Sequence, residues 1–276
     1  MDSFELMTTV RNFTKKHTEK DIPTQELLRN LNLANSVTSL ALYPMFKEDL
    51  VKSLTETSQT GDYALPKDLL LIVNAYRKND ASDFKLCNKL TIEDHPVIGT
   101  PPFPSDENYP IIVQVGTDLS FTPALSTTDI KLEYRKRIAD LVFGIGTSAA
   151  DGTYITLDNY APVRDDVLND YWLALYKNTS GDLRKETVIK ITDYVAATKR
   201  AMCTTPDNDQ EYTYALVPAL PDEFHPFIII QTLVYLALSD YYDKNPDTLQ
   251  IKLDRSIGVT LQSHGFEYSP EVEGKS

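Results

Sequence analysis

The residues of this 276-residue chain that could do chemistry are few and scattered. Four histidines, His17, His95, His225 and His264, show no H-x-x-x-H spacing and no cysteine beside them, so the spacing assembles no metal-ligand set. Cys87 and Cys203 lie far apart with no C-x-x-C spacing, which predicts neither a disulfide framework nor a zinc site and fits a protein made in a reducing compartment. Paired acids such as Asp165-Asp166 and Glu93-Asp94 have the chemistry of a two-carboxylate site, but adjacent positions on a helix face different directions. They read as acids at helix starts, where the macrodipole favours negative charge. The stretch GIGTSAADG at 144–152 offers Gly144 and Gly146, yet Ala149 stands where a dinucleotide fingerprint needs its third glycine, and a strand pattern follows in place of a helix. It reads as a flexible turn between strands. No G-x-S-x-G elbow or Walker loop is present, and the two His-Pro pairs, His95-Pro96 and His225-Pro226, imply no mechanism. The sequence thus assigns no catalytic residue, cofactor or metal. An enzyme would need several of Asp165, Asp166, His95 and Glu93 to converge in one pocket.

Composition narrows the classes further. With 42% hydrophobic residues the chain can bury a sizeable core as one large domain or two smaller ones. Its 27 Lys and Arg against 40 Asp and Glu leave a formal charge of −13 and a pI of about 4.7, which disfavours tight binding to nucleic acid, because phosphate recognition needs clustered cations. The basic cluster KLEYRKR at 131–137 reads as the solvated face of a strand. The N-terminal MDSFELMTTVRNFTKKH is charged and amphipathic, unlike a signal peptide, and no window approaches the roughly 18–20 continuous apolar residues of a membrane span. The sequons at Asn12 and Asn178 are therefore read as chance matches.

Hydrophobic periodicity supplies the elements that would position any site. Phe4, Met7, Val10 and Phe13 predict an amphipathic helix over 3–17, capped by Ser3. A second helix is predicted from Ile22 with Asp21 as its cap, Pro23 in its first turn, and a stripe of Leu27, Leu31, Ala34, Thr38, Ala41 and Met45 that Pro44 ends or kinks. VKSLTETSQT at 51–60 alternates, and Gly61-Asp62 then predicts a β-hairpin closing near Gly61. LLLIVNAY at 69–76 is short for a helix and reads as a strand whose LLLIV buries against the helices. Residues 91–108 read as a long ordered surface loop, followed by strands at 109–116, 129–136 and 152–161. Helices are predicted over 162–177, through Val167, Leu168, Tyr171, Trp172 and Leu175, and over 183–201, through Val188, Ile191, Val195 and Ala196. After a strand at 212–218, Pro221-Asp222-Glu223 opens the strongest helix. Its face runs Ile230, Val234, Ala237, Leu238 and Tyr241, widened by Ile228, Ile229 and Leu233, which predicts a helix gripped on two sides.

Three short segments carry a resemblance: TVRNF at 9–13 within the early helix pair, the Y-x-L-P-x-D set of Tyr63, Leu65, Pro66 and Asp68, and ALPDEFHPFII at 219–229. With the order of elements around them, they resemble the head–tail connector adaptor proteins of tailed bacteriophages, which form a ring beneath the portal. The chain departs from that pattern in its middle, where 94–128 and 140–160 look like elaborations.

The expected fold class is α+β: a helical bundle, made of the N-terminal helix pair and a long C-terminal helix, with a β-rich insertion. The bundle is placed at 1–50 and 162–268 with minor β structure, the insertion at 51–161, and a mobile acidic C-terminal tail at 269–276. The resemblance implies a non-enzymatic virion structural protein, made in the host cytoplasm and resident in the head–tail connector. It implies a twelve-fold ring of neighbouring copies, with the portal protein on one face and the next tail component on the other. DNA would pass through without sequence-specific binding, and no membrane is involved. A tail-completion or gatekeeper-type virion protein and an unrecognised enzyme are the alternatives.

Overall fold

The computed structural model describes residues 1–16, 20–42, 45, 51–79, 83–90, 109–179, 182–205 and 207–266. The chain forms two compact units, Met1–Phe46 with Ile138–Ser276, and Lys47–Arg137. Among the described residues it is mostly β, with fifteen strands in three sheets and four α-helices. This overturns the expected helical bundle with a long C-terminal helix and a β-rich insertion.

In the first unit α1 (Ser3–Thr14) and α2 (Thr24–Ala41) form as their apolar spacing predicts. Their caps differ from expectation. Asp2, not Ser3, caps α1: its carboxylate accepts from Phe4 N and Glu5 N at 3.0 and 3.1 Å, and Glu5 returns the bond to Asp2 N at 3.0 Å, a full capping box. Ser3 is already helical and donates instead to Val142 O at 2.7 Å. At α2 it is Pro23, not Asp21, that occupies the cap position, with no side-chain hydrogen bond. The expected stop at Pro44 lies outside the described residues.

Where two helices were expected over 162–177 and 183–201, the chain makes strands β11 (Trp172–Thr179) and β12 (Asp182–Lys190), then β13 (Asp193–Val195) and β14 (Arg200–Met202). The sheet order is β12-β11-β15-β9-β10-β14-β13, with β9 (Phe143–Ser148), β10 (Tyr154–Thr156) and β15 (Glu211–Leu216) inside it. Residues 138–161, carrying β9 and β10, therefore belong to this unit. The physical reason for the difference is that β11 is buried on both faces. Leu173 and Leu175 enter the larger core with Tyr194, Tyr212 and Tyr214, while Ala174 and Tyr176 pack beneath Phe4 of α1. A strand covered on both sides shows no alternation of apolar and polar residues, and its continuous apolar run can be mistaken for a helix.

A 3-10 turn, Asp222–Phe224, leads into α3 (His225–Leu238), which packs against α1, α2 and α4 (Pro246–Ser263). α3 is thus held on more than one side, although it ends at Leu238, which is exposed, and it is not the terminal helix. α4 follows, opened by Asn245, whose Oδ1 accepts from Thr248 N at 3.1 Å, with Pro246 in the first turn.

The second unit consists of two four-stranded sheets sharing one core. One is ordered β1-β8-β3-β4 and the other β2-β7-β6-β5, formed by β1 (Val51–Gln59), β2 (Tyr63–Ala64), β3 (Leu69–Lys78), β4 (Phe84–Leu86), β5 (Asn88–Leu90), β6 (Ile111–Val115), β7 (Asp118–Thr122) and β8 (Thr128–Lys136). The expected hairpin at Gly61 does not form. β1 pairs with β8 and β2 with β7, and Gly61, at φ +69°, donates its N–H to Leu125 O at 3.1 Å. The turn therefore sends the chain from one sheet to the other. β3 is a strand, as its length predicts, but it does not bury LLLIV against helices. Ile72 points into the core while Leu70, Leu71 and Val73 are exposed.

Candidate functional site

The densest polar constellation in the first unit joins the start of α1 to the sheet. Asp2 is fully buried, and beyond its two helix N–H groups it accepts from Tyr176 Oη at 2.7 Å and from the Lys185 ammonium at 2.6 Å. Lys185 also reaches Glu5 at 2.7 Å. β11 places Tyr176 here, and β12 sets Lys185 opposite it where the ladder between the two strands shifts register. Burial, then the hydrogen bond from its hydroxyl to Asp2 and the nearby carboxylate charges, push the Tyr176 phenol well above its ordinary range. Burial pulls the Lys185 ammonium down, but its bonds to Asp2 and Glu5 outweigh this and leave it raised. Phe4 completes the joint, stacked on Phe143 at 5.4 Å and edge-on to Tyr176 at 5.1 Å. Four donors saturate the Asp2 carboxylate, two on each oxygen, so the group is a lock between helix and sheet rather than an acid or base open to a substrate.

Beside this lock lies an open cleft of about 300 Å³, lined by Phe4, Met7, Thr8, Arg11, Asn12, Thr24 and Phe143. Its walls combine the apolar side chains of Phe4, Met7 and Phe143 with polar Thr8, Arg11, Asn12 and Thr24, and Arg11 donates to Thr24 Oγ1 at 3.2 Å. That lining holds no carboxylate, imidazole or thiol, so it can receive a small apolar or aromatic group but offers nothing to move a proton.

The residues singled out by sequence do not converge. His17, Glu93, Asp94 and His95 lie outside the described residues. Asp165 and Asp166 are not at a helix start. They sit in a turn where Asp165 accepts from Ala196 N at 2.7 Å, and Asp166, at φ +62°, accepts from Asn169 Nδ2 at 3.1 Å. His225 is buried and donates from Nε2 to Leu220 O at 2.7 Å, which leaves Nδ1 to accept from the Met1 amino group at 3.0 Å. Burial, and next the Met1 charge, hold its pKa below the usual imidazole value. His264 follows α4 and is exposed. Cys87 and Cys203 are free and buried, their thiols pushed up by burial to about 12 and about 11. Among the described residues no group of three or more His, Cys, Asp or Glu is placed to hold a metal ion.

The expected flexible turn at 144–152 is instead largely strand β9, and its glycines serve close packing. A Cβ on Gly144 would lie 2.0 Å from Asp158 Oδ2. Asp158 is fixed there by Ile145 N at 3.0 Å, Tyr160 N at 3.0 Å and the Tyr214 hydroxyl at 2.7 Å. KLEYRKR lies in and just after β8, where Leu132 and Tyr134 turn inward and Lys131 pairs with Glu133 at 2.7 Å.

Compared with known proteins, the chain matches no family model and no curated protein. The Leu65-Pro66-x-Asp68 and Leu220-Pro221-Asp222 segments are placed as joints of the fold. In the first, Tyr63 and Leu65 enter the core of the second unit, and buried Asp68 accepts from the Tyr134 hydroxyl at 2.8 Å and faces the Lys52 ammonium at 3.6 Å. In the second, Pro221 opens the turn into α3 and Phe224 is buried. Asp2, Tyr176 and Lys185 were missed by sequence reasoning. The one signal for Asp2 was its spacing from Glu5, the reciprocal pair of a capping box.

Proposed function

We propose that this protein is a virion structural protein, a connector adaptor that forms a ring between the portal and the tail of a tailed bacteriophage. The observation that carries the reading is the pair of segments Leu65-Pro66-Lys67-Asp68 and Leu220-Pro221-Asp222-Glu223, each of which sits at a joint of its unit: Asp68 is buried and accepts from Tyr134, and Pro221 opens the turn into α3. The reading draws on these motifs and on TVRNF, and it needs no helical bundle. Consistent with an architectural role, the acids at Asp2, Asp68, Asp158 and Asp165 all serve as acceptors that fasten one segment to another. Each subunit meets its neighbours head to tail, a heterologous contact that closes into a ring, twelve-fold by the resemblance. One face meets the portal protein and the other the next tail component. The net charge of −13 suits a channel through which DNA passes without being held, since acidic walls release no counterions.

The test is the mass of the purified protein alone and mixed with a candidate portal protein, by native mass spectrometry or light scattering after size exclusion. The adaptor reading expects a portal complex in ring stoichiometry. Binding to a tail tube and not to portal would move the protein to the tail-completion class, and no assembly with either would overturn the virion reading.

A further inference from the structure

The last two turns of α2 carry three large apolar side chains outside and three polar ones inside. Leu33, Val37 and Leu40 are 46%, 45% and 62% exposed, whereas Asn35, Thr38 and Ser39 on the other side of the helix are buried. Asn35 Oδ1, Thr38 Oγ1 and Ser39 Oγ have no hydrogen-bond partner among the described residues. The outer residues follow the four-then-three step of a heptad seam, with Leu at two d positions and a β-branched Val at the a position between them. Asn30 through Leu42 contain no ionisable side chain, in a chain that is 24% charged and carries a formal −13.

We propose that this outer seam of α2 is a contact between two copies of the chain, α2 of one copy lying along α2 of its partner about a two-fold axis. The uncharged window decides the occupant. Two molecules of net charge −13 repel wherever their acids face each other, and these turns are a stretch of surface helix where like copies can approach without that cost. The seam offers no cation to draw an acidic peptide or an anionic lipid surface. Its flanks, Ser36 and Ala41, place nothing charged beside the apolar row. Val37 is central, so a parallel or an antiparallel pairing brings it against its own counterpart. Three half-exposed side chains fall well short of the roughly 800 Å² per partner of a stable interface. The contact alone therefore gives a weak dimer, populated at high protein concentration or when another contact gathers the copies. It requires no portal and does not rest on the connector reading, so either can fail without the other.

The experiment is disulfide trapping of the full chain. Val37→Cys is oxidised with copper phenanthroline beside Gln262→Cys, a control at an exposed position on α4; the native thiols are buried in both. Thiols held together react at the effective concentration of an intramolecular step, so Val37→Cys is expected to form covalent dimer roughly tenfold faster than the control. Adding Leu33→Gln and Leu40→Gln should abolish that advantage, and since both side chains are exposed and Gln is a good helix former, the fold is retained. Equal rates at the two cysteines, or an advantage that survives the glutamines, would overturn the proposal. So would stripe-dependent pelleting with phosphatidylcholine vesicles in place of self-association.

Discussion

Thr38→Val combined with Ser39→Ala should stabilise the first unit. Thr38 and Ser39 are 1% and 0% exposed, and neither hydroxyl has a hydrogen-bond partner among the described residues. Leaving a buried polar atom unsatisfied costs about 1–3 kcal/mol; Thr38→Val removes that cost at unchanged shape, and Ser39→Ala removes it while vacating only the space of one oxygen atom. Val and Thr have nearly the same helix propensity and Ala exceeds Ser by a few tenths of a kcal/mol, so the backbone contribution is neutral to favourable. A gain of about 2–3 kcal/mol for the pair is expected from the low end of that range. In a unit of this size each kcal/mol raises Tm by about 2–4 °C, for a total of about 5–10 °C. The assay is urea and thermal unfolding followed by fluorescence of Trp172, the single tryptophan, which lies in β11 of the same unit. A loss of stability in the double variant would refute the reasoning. It would mean that the two hydroxyls are satisfied in solution by an internal water, whose bonds the variant destroys.

Two further outcomes follow from the sheet and from α3. Gly144→Ala puts a methyl 2.0 Å from Asp158 Oδ2, so the carboxylate must leave Ile145 N and the Tyr214 hydroxyl. A loss of about 2–3 kcal/mol is expected in urea titrations, and Gly144→Ala should cost much less in an Asp158→Ala background. Burial, and next the Met1 amino group, lower the His225 pKa, with the hydrogen bond to Leu220 O and then Asp222 and Glu5 partly offsetting the shift. A depressed folded-state pKa means that this contribution to stability is present above about 6.5, the unfolded value, and is lost as pH falls from there through the folded pKa. Tm should therefore drop on acidification below neutrality, and a His225→Gln variant should show a flatter profile; an unchanged slope would remove His225 from the account.

Helices α1, α2 and α3 were legible because each keeps a 3.6-residue apolar period, as in Leu27, Leu31 and Ala34. Strands β3, β6, β8 and β15 were legible from short β-branched and aromatic runs with partial alternation. What failed was the reading of strands whose two faces are both covered, or whose edge carries charges. Leu173-Ala174-Leu175-Tyr176 is apolar throughout, and the interspersed charges of β12 at Arg184, Lys185 and Glu186 imitate the polar side of a helix. α4 went unread although Asn245-Pro246 marks its start and Leu249, Leu253, Ile257 and Leu261 recur every four residues, a narrow stripe among many polar neighbours. The candidate site was almost illegible, because Asp2, Tyr176 and Lys185 meet only through pairing of strands far from α1 in sequence.

The sheets of the second unit pair only residues within 51–136, so that unit can complete its ladders as soon as its own residues have left the ribosome. The helices made before it have no such freedom. α1 rests on Phe143 and Tyr176, and α2 packs on α3, so α1 waits for synthesis to reach Tyr176 and α2 for it to reach nearly Leu238. At about 5–20 residues per second, α2 stays without its partner for roughly 10–40 s of translation. The second unit's ladders thus depend on no residue made after 136, whereas the face of α2 that packs on α3 stays open to solvent for those seconds.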